Sequence, residues 1–182
     1  LGELNLLRTN PAGYATKLEA LKGCYSSDNV FTPPGGGSPS MTHEGWAAVQ
    51  EAIDDLKNMD PMSPLSRLQG LEAAASEHAS YLGSGEGNYG HVGPADDRAA
   101  DRIEKAGLAW EVMAGEVIGY RETVADNGPE AVVKNMVVCD GEEGRVDRKT
   151  LTHPSMTVCG IAIRSHPAVG AVTVVTLTAG FS

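Results

Sequence analysis

The spacing of apolar residues changes along this chain, from a helical repeat in its first part to an alternation of β-branched residues near its C-terminal end. Apolar residues at helical intervals predict helices over 2–22, 42–58, 66–82 and 95–106. Residues 156–164 and 172–179 are rich in valine, isoleucine and threonine, and the short polar segment between them predicts a β-hairpin. Helices followed by a short antiparallel sheet predict an α+β layered domain rather than a parallel α/β fold.

Local signals add detail to this outline. Pro11 predicts a break in the first helix with Asn10 as the cap of its second half, and Thr42 is the predicted cap of the next helix. We expect a further strand over 111–120, a helix over 129–138, and an irregular segment over 141–152 with one helical turn. No composition shift marks a domain boundary, so the whole chain, 1–182, is predicted to be one domain.

The charge balance excludes several classes of partner. The chain has 182 residues and a formal net charge of −10. Phosphate backbones and anionic lipid surfaces bind positively charged proteins, so we expect no nucleic-acid binding and no binding to an anionic membrane surface. No apolar run in the sequence reaches the length that a bilayer requires, which predicts a protein that is not transmembrane.

Cys24, Cys139 and Cys159 are the three cysteines of the chain. They lack the closely spaced pairs of a structural zinc site. The twenty-residue separation of Cys139 and Cys159 permits a disulfide in an oxidising compartment, which would leave Cys24 free or paired with another molecule. The alternative is three buried thiols that pack as small apolar side chains.

Several short motifs follow one another along the chain. They lie at 4–11 (LNLLRTNP), 64–65 with 71–79, 90–93 (GHVG), 101–107 (DRIEKAG), 115–118 (GEVI), 140–154, 160–162 (GIA) and 179–181 (AGF). In this order they resemble the CAP superfamily of cysteine-rich secretory, antigen 5 and pathogenesis-related-1 proteins, particularly its bacterial and protist SCP-like extracellular branch. The resemblance implies an α-β-α sandwich with a short antiparallel sheet between helices. Residues 24–62 have no counterpart in the family and are interpreted as an insertion.

The resemblance also implies a cleft in which two histidines and two acidic residues bind a divalent metal. His91 matches the first histidine and Glu116 the first acid. Asp147 stands where the second histidine is expected, and Asp140 is a candidate for the second acid by position. One imidazole and three carboxylates form an oxygen-rich set, which shifts the expected metal from zinc toward calcium, magnesium or manganese. The alternative is that these departures from the family pattern leave no metal site. No other cofactor is expected.

Each of these residues also has a structural interpretation. Glu116 and His91 can form a charge-assisted hydrogen bond that holds the 90–93 loop. Asp147 lies between Arg145 and Arg148 in the sequence, which favours an ion pair. His78 lies on the apolar side of a predicted helix, which is typical of core packing.

Catalysis has little support in the sequence. No Gly-x-Ser-x-Gly motif is present, and Cys139 and Cys159 have no histidine neighbour in sequence that would activate a thiol. We therefore expect no catalytic residues and a secreted, non-catalytic CAP module, extracellular or at the cell surface, that binds a protein, glycan or lipid. The alternatives are a structural subunit that self-associates through residues 24–62 and, third, a metal-dependent hydrolase.

Overall fold

The computed structural model describes residues 1–121 and 128–182, with only the backbone of Arg121. Seven α-helices are present in this part of the chain: α1 (Gly2–Thr9), α2 (Pro11–Glu19), α3 (Trp46–Lys57), α4 (Gln69–Leu82), α5 (Ala99–Lys105), α6 (Pro129–Val138) and α7 (Val146–Leu151). The strands are β1 (Val30–Phe31), β2 (Ser40–Met41), β3 (Ser66–Arg67), β4 (Trp110–Arg121), β5 (Val158–His166) and β6 (Gly170–Phe181). None of the described helices is both long and apolar enough to cross a membrane.

A four-stranded sheet with the order β3-β5-β6-β4 forms the middle of the fold. The predicted hairpin is confirmed, because β5 and β6 pair as antiparallel neighbours, and β4 pairs with β6 in the same sense. The short strand β3 instead runs parallel to β5, with Ser66 opposite Val158. The sheet is therefore antiparallel in its three long strands only, and α4 begins at Gln69 rather than at residue 66.

Helices cover both faces of the sheet, which confirms the α+β fold and the expected α-β-α sandwich. Successive residues of a strand point to opposite faces, so one face of β6 carries Val172 and Val174 while the other carries Val175 and Leu177. On the first face α4 packs through Ala75, Ala79 and Leu82, beside α5. The second face is covered by α1, α2, α3, α6 and α7, whose apolar side chains form the larger core.

The 24–62 segment contributes directly to this larger core. Its helix α3 buries one complete apolar side, which comprises Ala48, Val49, Ala52, Ile53 and Leu56. The helix begins at Trp46, not at residue 42, because the hydroxyl of Thr42 bonds the carbonyl of Asn29 instead of capping a helix. The apolar side of the 24–62 segment is thus buried in the core of the same chain.

The first two helices meet at the predicted break. Pro11 is the first residue of α2, and the side chain of Asn10 accepts a hydrogen bond of 3.0 Å from the backbone N–H of Gly13. This cap satisfies one of the free amides at the start of α2. The prediction of a break at Asn10 is confirmed.

Arg8, on α1, is fully buried and binds several backbone carbonyls from distant parts of the chain. Its guanidinium donates to four backbone carbonyls, those of Ser63 at 3.0 Å, Leu151 at 2.7 Å, His153 at 3.0 Å and Met156 at 2.8 Å. Burial lowers the pKa of Arg8. This side chain fastens α1 to the end of α7 and to the loop before β5.

The three cysteines, all in the described part of the chain, are free. The disulfide that the spacing of Cys139 and Cys159 permits is not formed. Both side chains are buried, and the Cys139 thiol donates to the Met136 carbonyl at 2.9 Å. Burial raises the pKa of Cys139 to about 12 and also raises that of Cys159. These two thiols pack as apolar side chains.

Candidate functional site

Glu116 lies on β4, which forms one edge of the sheet, and its side chain is buried against α4 and α5. Arg102 of α5 is equally buried, and its Nη2 donates to both carboxylate oxygens of Glu116, at 3.0 and 2.8 Å. The other terminal nitrogen, Nη1, donates to Asp97 Oδ1 at 2.9 Å. One guanidinium thus bridges two buried carboxylates, an arrangement in which each charge is hydrogen-bonded.

His91 lies at the mouth of this buried cluster, in the loop between α4 and α5. Its Nδ1 is 3.0 Å from Glu116 Oε1, while half of the imidazole surface is exposed. The hydrogen bond to Glu116 raises the pKa of His91. The predicted hydrogen bond between His91 and Glu116 is therefore confirmed, and it uses the Nδ1 atom of the ring.

His78 supports the same loop from behind. The imidazole is fully buried on α4, as predicted, and its Nε2 is 2.9 Å from the Gly90 carbonyl and 3.6 Å from Glu116 Oε1. Burial lowers the pKa of His78. The Gly90 amide in turn donates to the Tyr120 hydroxyl at 2.8 Å. These contacts fix the backbone on which His91 stands.

Asp147, in the first turn of α7, approaches the site from the other layer. Burial, reinforced by the negative charge of Glu142, raises its pKa to about 7, while the charge of His91 acts in the opposite direction. The carboxylate does not pair with its sequence neighbours. Arg145 pairs with Glu44 and Glu51, and Arg148 pairs with Glu51 and Asp55, so the interpretation of Asp147 as their ion-pair partner is wrong. Both arginines therefore pair with acids on α3 or, for Glu44, just before it.

Asp140 has a different set of contacts. Its two carboxylate oxygens accept hydrogen bonds from the backbone amides of His43, at 2.7 Å, and Glu44, at 2.8 Å. The structure thus gives Asp140 a part in holding the segment just before α3 against the end of α6.

The donor atoms around Glu116 fit a metal ion poorly. Both oxygens of Glu116 are already bonded to the Arg102 guanidinium, and a second cation beside it would be repelled. Among residues 1–121 and 128–182, no group of three or more histidine, cysteine, aspartate or glutamate side chains is placed to hold a metal. The four-residue site of His91, Glu116, Asp147 and Asp140 stays a prediction, and we derive no chemistry from it.

A cavity of about 870 Å³ opens beside Asp147 and Tyr120. The 31–42 loop forms one wall, and the ends of α6, α7 and β4 form the other. Aromatic rings and carboxylates share the lining, which includes Tyr25, Phe31, Met41, Tyr120, Asp140, Glu142 and Asp147. Such concave, mixed surfaces are typical of ligand sites.

The three layers, together with the His91–Glu116 pair at the sheet edge, define a CAP-type domain. The family model of the CAP proteins, the cysteine-rich secretory protein family, matches residues 50–177, and the chain belongs to this family. A similar solved structure is the CAP domain of enterococcal PrgA, with 18% sequence identity and a TM-score of 0.44, covering 76% of this chain and 58% of that one. The chain thus spans less than two thirds of that structure. A comparison with curated proteins finds no match.

Two contributors to the site were not predicted from the sequence. Arg102 lies in the DRIEKAG motif, but its pairing with Glu116 depends on how α5 packs against β4. His78 was assigned to the core correctly, yet its proximity to Glu116 depends on how α4 packs against the sheet. A charged residue beside the core residue Ile103 was the available signal for Arg102, because buried arginines require acidic or carbonyl partners.

The raised pKa of Asp147 predicts a pH-dependent difference between the wild type and Asp147→Asn. The folded state holds this proton up to a pKa of about 7, against 3.8 for an ordinary aspartate, so its contribution to stability is full below pH 3.8 and is lost as pH rises through 7. The advantage of the asparagine variant over the wild type in free energy of unfolding should therefore be greater at about pH 8 than at about pH 5, by about 2 kcal/mol. Urea unfolding at both pH values measures this.

The exposed Asp60 offers the matched control for this experiment. Asp60→Asn should give the same small effect at both pH values, because its side chain lies on the surface. A difference between wild type and Asp147→Asn that does not change with pH would contradict the assignment of the proton to Asp147.

Proposed function

We propose that this chain is a secreted or surface-displayed, non-catalytic module that binds a protein ligand in the cavity between the 31–42 loop and the ends of α6 and α7. The observation that carries the proposal is the cavity itself, whose lining residue Tyr120 accepts a hydrogen bond from the amide of Gly90, the residue before His91. The family is described as one of cysteine-rich secretory proteins, which supports an extracellular location.

The lining of the cavity favours a peptide segment with apolar and basic side chains. Tyr25, Phe31 and Tyr120 provide ring surface, which binds both apolar groups and cations. Asp140, Glu142 and Asp147 provide negative charge, and no lysine or arginine is among the described residues of the lining. These carboxylates disfavour an anionic lipid headgroup, so a protein ligand is preferred over a phospholipid.

Two further observations support binding rather than catalysis or assembly. The buried thiols of Cys139 and Cys159 have raised pKa values, which makes them poor nucleophiles. The apolar face of α3 lies in the chain's own core, so self-association through the 24–62 segment would have to use its polar side.

Selection from a phage-displayed library of random peptides tests the proposal. We expect the selected peptides to be enriched in lysine, arginine and aromatic residues. Met41 lines the cavity and is 74% exposed, so Met41→Ala should weaken binding without disturbing the core. Calorimetry with a selected peptide should show about a tenfold loss of affinity for Met41→Ala, and a similar loss for Asp147→Asn.

Ile163→Ala is the matched control, because Ile163 is also an exposed apolar residue, on β5, and does not line the cavity. It should leave the affinity unchanged. Two outcomes would contradict the proposed location of the site. The selected peptides could bind both cavity variants as tightly as the wild type, or they could lose affinity for Ile163→Ala instead.

A further inference from the structure

We propose that the cavity between the 31–42 loop and the ends of α6 and α7 recognises a quaternary ammonium group, such as that of choline or of a trimethylated lysine side chain. The inference rests on the proposed function for the location of the site, and it adds the chemical group that the site selects. Aromatic rings and carboxylates that share the lining carry it. Ring faces and nearby negative charge together attract a bulky cation that donates no hydrogen bonds.

Two rings form an angled pair on the loop side of the cavity. Tyr25 and Phe31 both line the cavity and are joined by an isolated β-bridge, and their ring centroids are 4.9 Å apart at an interplanar angle of 44°. Trp46 packs edge-on against Tyr25, with centroids 5.8 Å apart, and so holds the pair in place. Burial and the nearby charge of Asp140 raise the pKa of Tyr25 to about 12, so its ring stays neutral close to a carboxylate.

Tyr120 supplies a third ring from the other wall, at the end of β4. Its hydroxyl accepts a hydrogen bond of 2.8 Å from the Gly90 amide. Its ring centroid lies 5.2 Å from that of Tyr89 and 6.0 Å from that of His166. The ring is therefore positioned by the chain itself, and a preorganised site loses little conformational freedom when a ligand binds.

The carboxylates of the cavity lack the basic partners that nearby acids have. Among the described side chains, no lysine or arginine forms an ion pair with Glu142 or Asp147. By contrast, Glu51, which does not line the cavity, binds both Arg145 and Arg148. Burial raises the pKa of Asp147 to about 7, and the negative charge of Glu142 adds to this effect. A cationic ligand would relieve the repulsion between these two carboxylates.

The chemistry of the lining discriminates between kinds of cation. In the part of the chain that the structure describes, no three histidine, cysteine, aspartate or glutamate side chains are placed to hold a metal ion. A primary ammonium is strongly hydrated and donates hydrogen bonds, whereas a quaternary ammonium is weakly hydrated and gains more from ring faces. The cavity of about 870 Å³ is larger than this group alone requires, so we expect the group to be one end of a longer ligand.

Calorimetric titration with choline chloride tests the inference without any peptide. The wild type should bind choline saturably, and it should bind ethanolamine, and the neutral isostere in which carbon replaces the quaternary nitrogen, at least about tenfold more weakly. Phe31→Leu, which keeps an apolar side chain and removes the ring, should weaken choline binding about tenfold. Phe181→Leu, at an exposed ring that does not line the cavity, is its control. Glu142→Gln should also weaken choline binding, and Glu143→Gln, the neighbouring glutamate outside the lining, should not.

A peptide from the library selection separates this inference from the proposed function. With trimethyllysine in place of its lysine, the peptide should bind about tenfold more tightly. Choline binding that both cavity variants weaken supports the inference even if the methylated peptide gains nothing, and the group would then come from a small molecule rather than from a protein. Selected peptides that bind the cavity while choline does not bind would overturn the inference and leave the proposed function in place. Choline binding that Phe31→Leu and Glu142→Gln both leave intact would overturn it as well.

Discussion

Replacement of Arg8 by methionine should lower the free energy of unfolding by about 3–5 kcal/mol. The side chain is fully buried, and its guanidinium is a hydrogen-bond donor to four carbonyls, one in the loop after α3, one at the end of α7 and two in the loop before β5. Methionine fills part of the volume but removes a donor from each of these carbonyls, of which that of His153 keeps the Met156 amide at 3.2 Å. Each buried polar group that loses its partner costs about 1–3 kcal/mol. Partial access of water to the carbonyls limits the total.

Urea unfolding followed by circular dichroism measures the effect, with Arg67→Met as the matched control. Arg67 is an exposed arginine whose ion pair with Glu72 is on the surface. Pairs of this kind contribute about 1 kcal/mol or less, so the control should remain close to the wild type. If Arg8→Met were as stable as Arg67→Met, the hydrogen bonds of Arg8 to these carbonyls would contribute little to stability, and water would have to replace them in the variant.

Replacement of Gly160 by alanine should be at least as damaging, with a loss of about 3 kcal/mol or more. Gly160 lies on β5 where the first turn of α4 crosses the sheet. A Cβ atom there would lie 2.0 Å from the carbonyl carbon of Leu71 and 2.2 Å from the amide nitrogen of Glu72. These are backbone atoms, so no side-chain rotation relieves the overlap, and α4 would have to move away from the sheet.

Gly87→Ala provides the comparison for this variant, because an added Cβ at Gly87 meets nothing within 4 Å. It should leave the Tm unchanged within about 1 °C, whereas Gly160→Ala should lower it by several degrees or prevent folding. The same displacement of α4 would disturb His78, which the near-ultraviolet dichroism of the neighbouring Tyr81 should report. A Gly160→Ala protein with wild-type Tm would show that α4 is not held as closely as described.

The parts of the fold that were predicted correctly depend on local signals. The break at Asn10 and Pro11, and the hairpin of β5 and β6, each follow from neighbouring residues. The parallel strand β3 was not predicted, because two residues have no measurable periodicity and its pairing partner lies about ninety residues away in the chain. The start of α3 was misplaced for a related reason, since Thr42 bonds a distant carbonyl.

The candidate site shows the same division. The contact between His91 and Glu116 was predictable from the motifs that contain them. The ion pairs of Arg145 and Arg148 were not, because the acids nearest to them in sequence are not the nearest in space. Glu51 of α3 reaches both arginines across the fold. The sequence shows which charged residues are close along the chain, whereas the ion pairs form between those that tertiary packing brings close in space.

The position of α3 bears on where a recombinant version of such a domain should begin. The family match starts at residue 50, after the first turn of α3 and beyond all of α1 and α2. Those excluded residues include Leu7, Leu18 and Val49, which share a core with Val137 and Leu177. A protein trimmed to the match would expose that side of the sheet to water. The part of the chain that matches the family is therefore shorter than the part that is needed to complete the core.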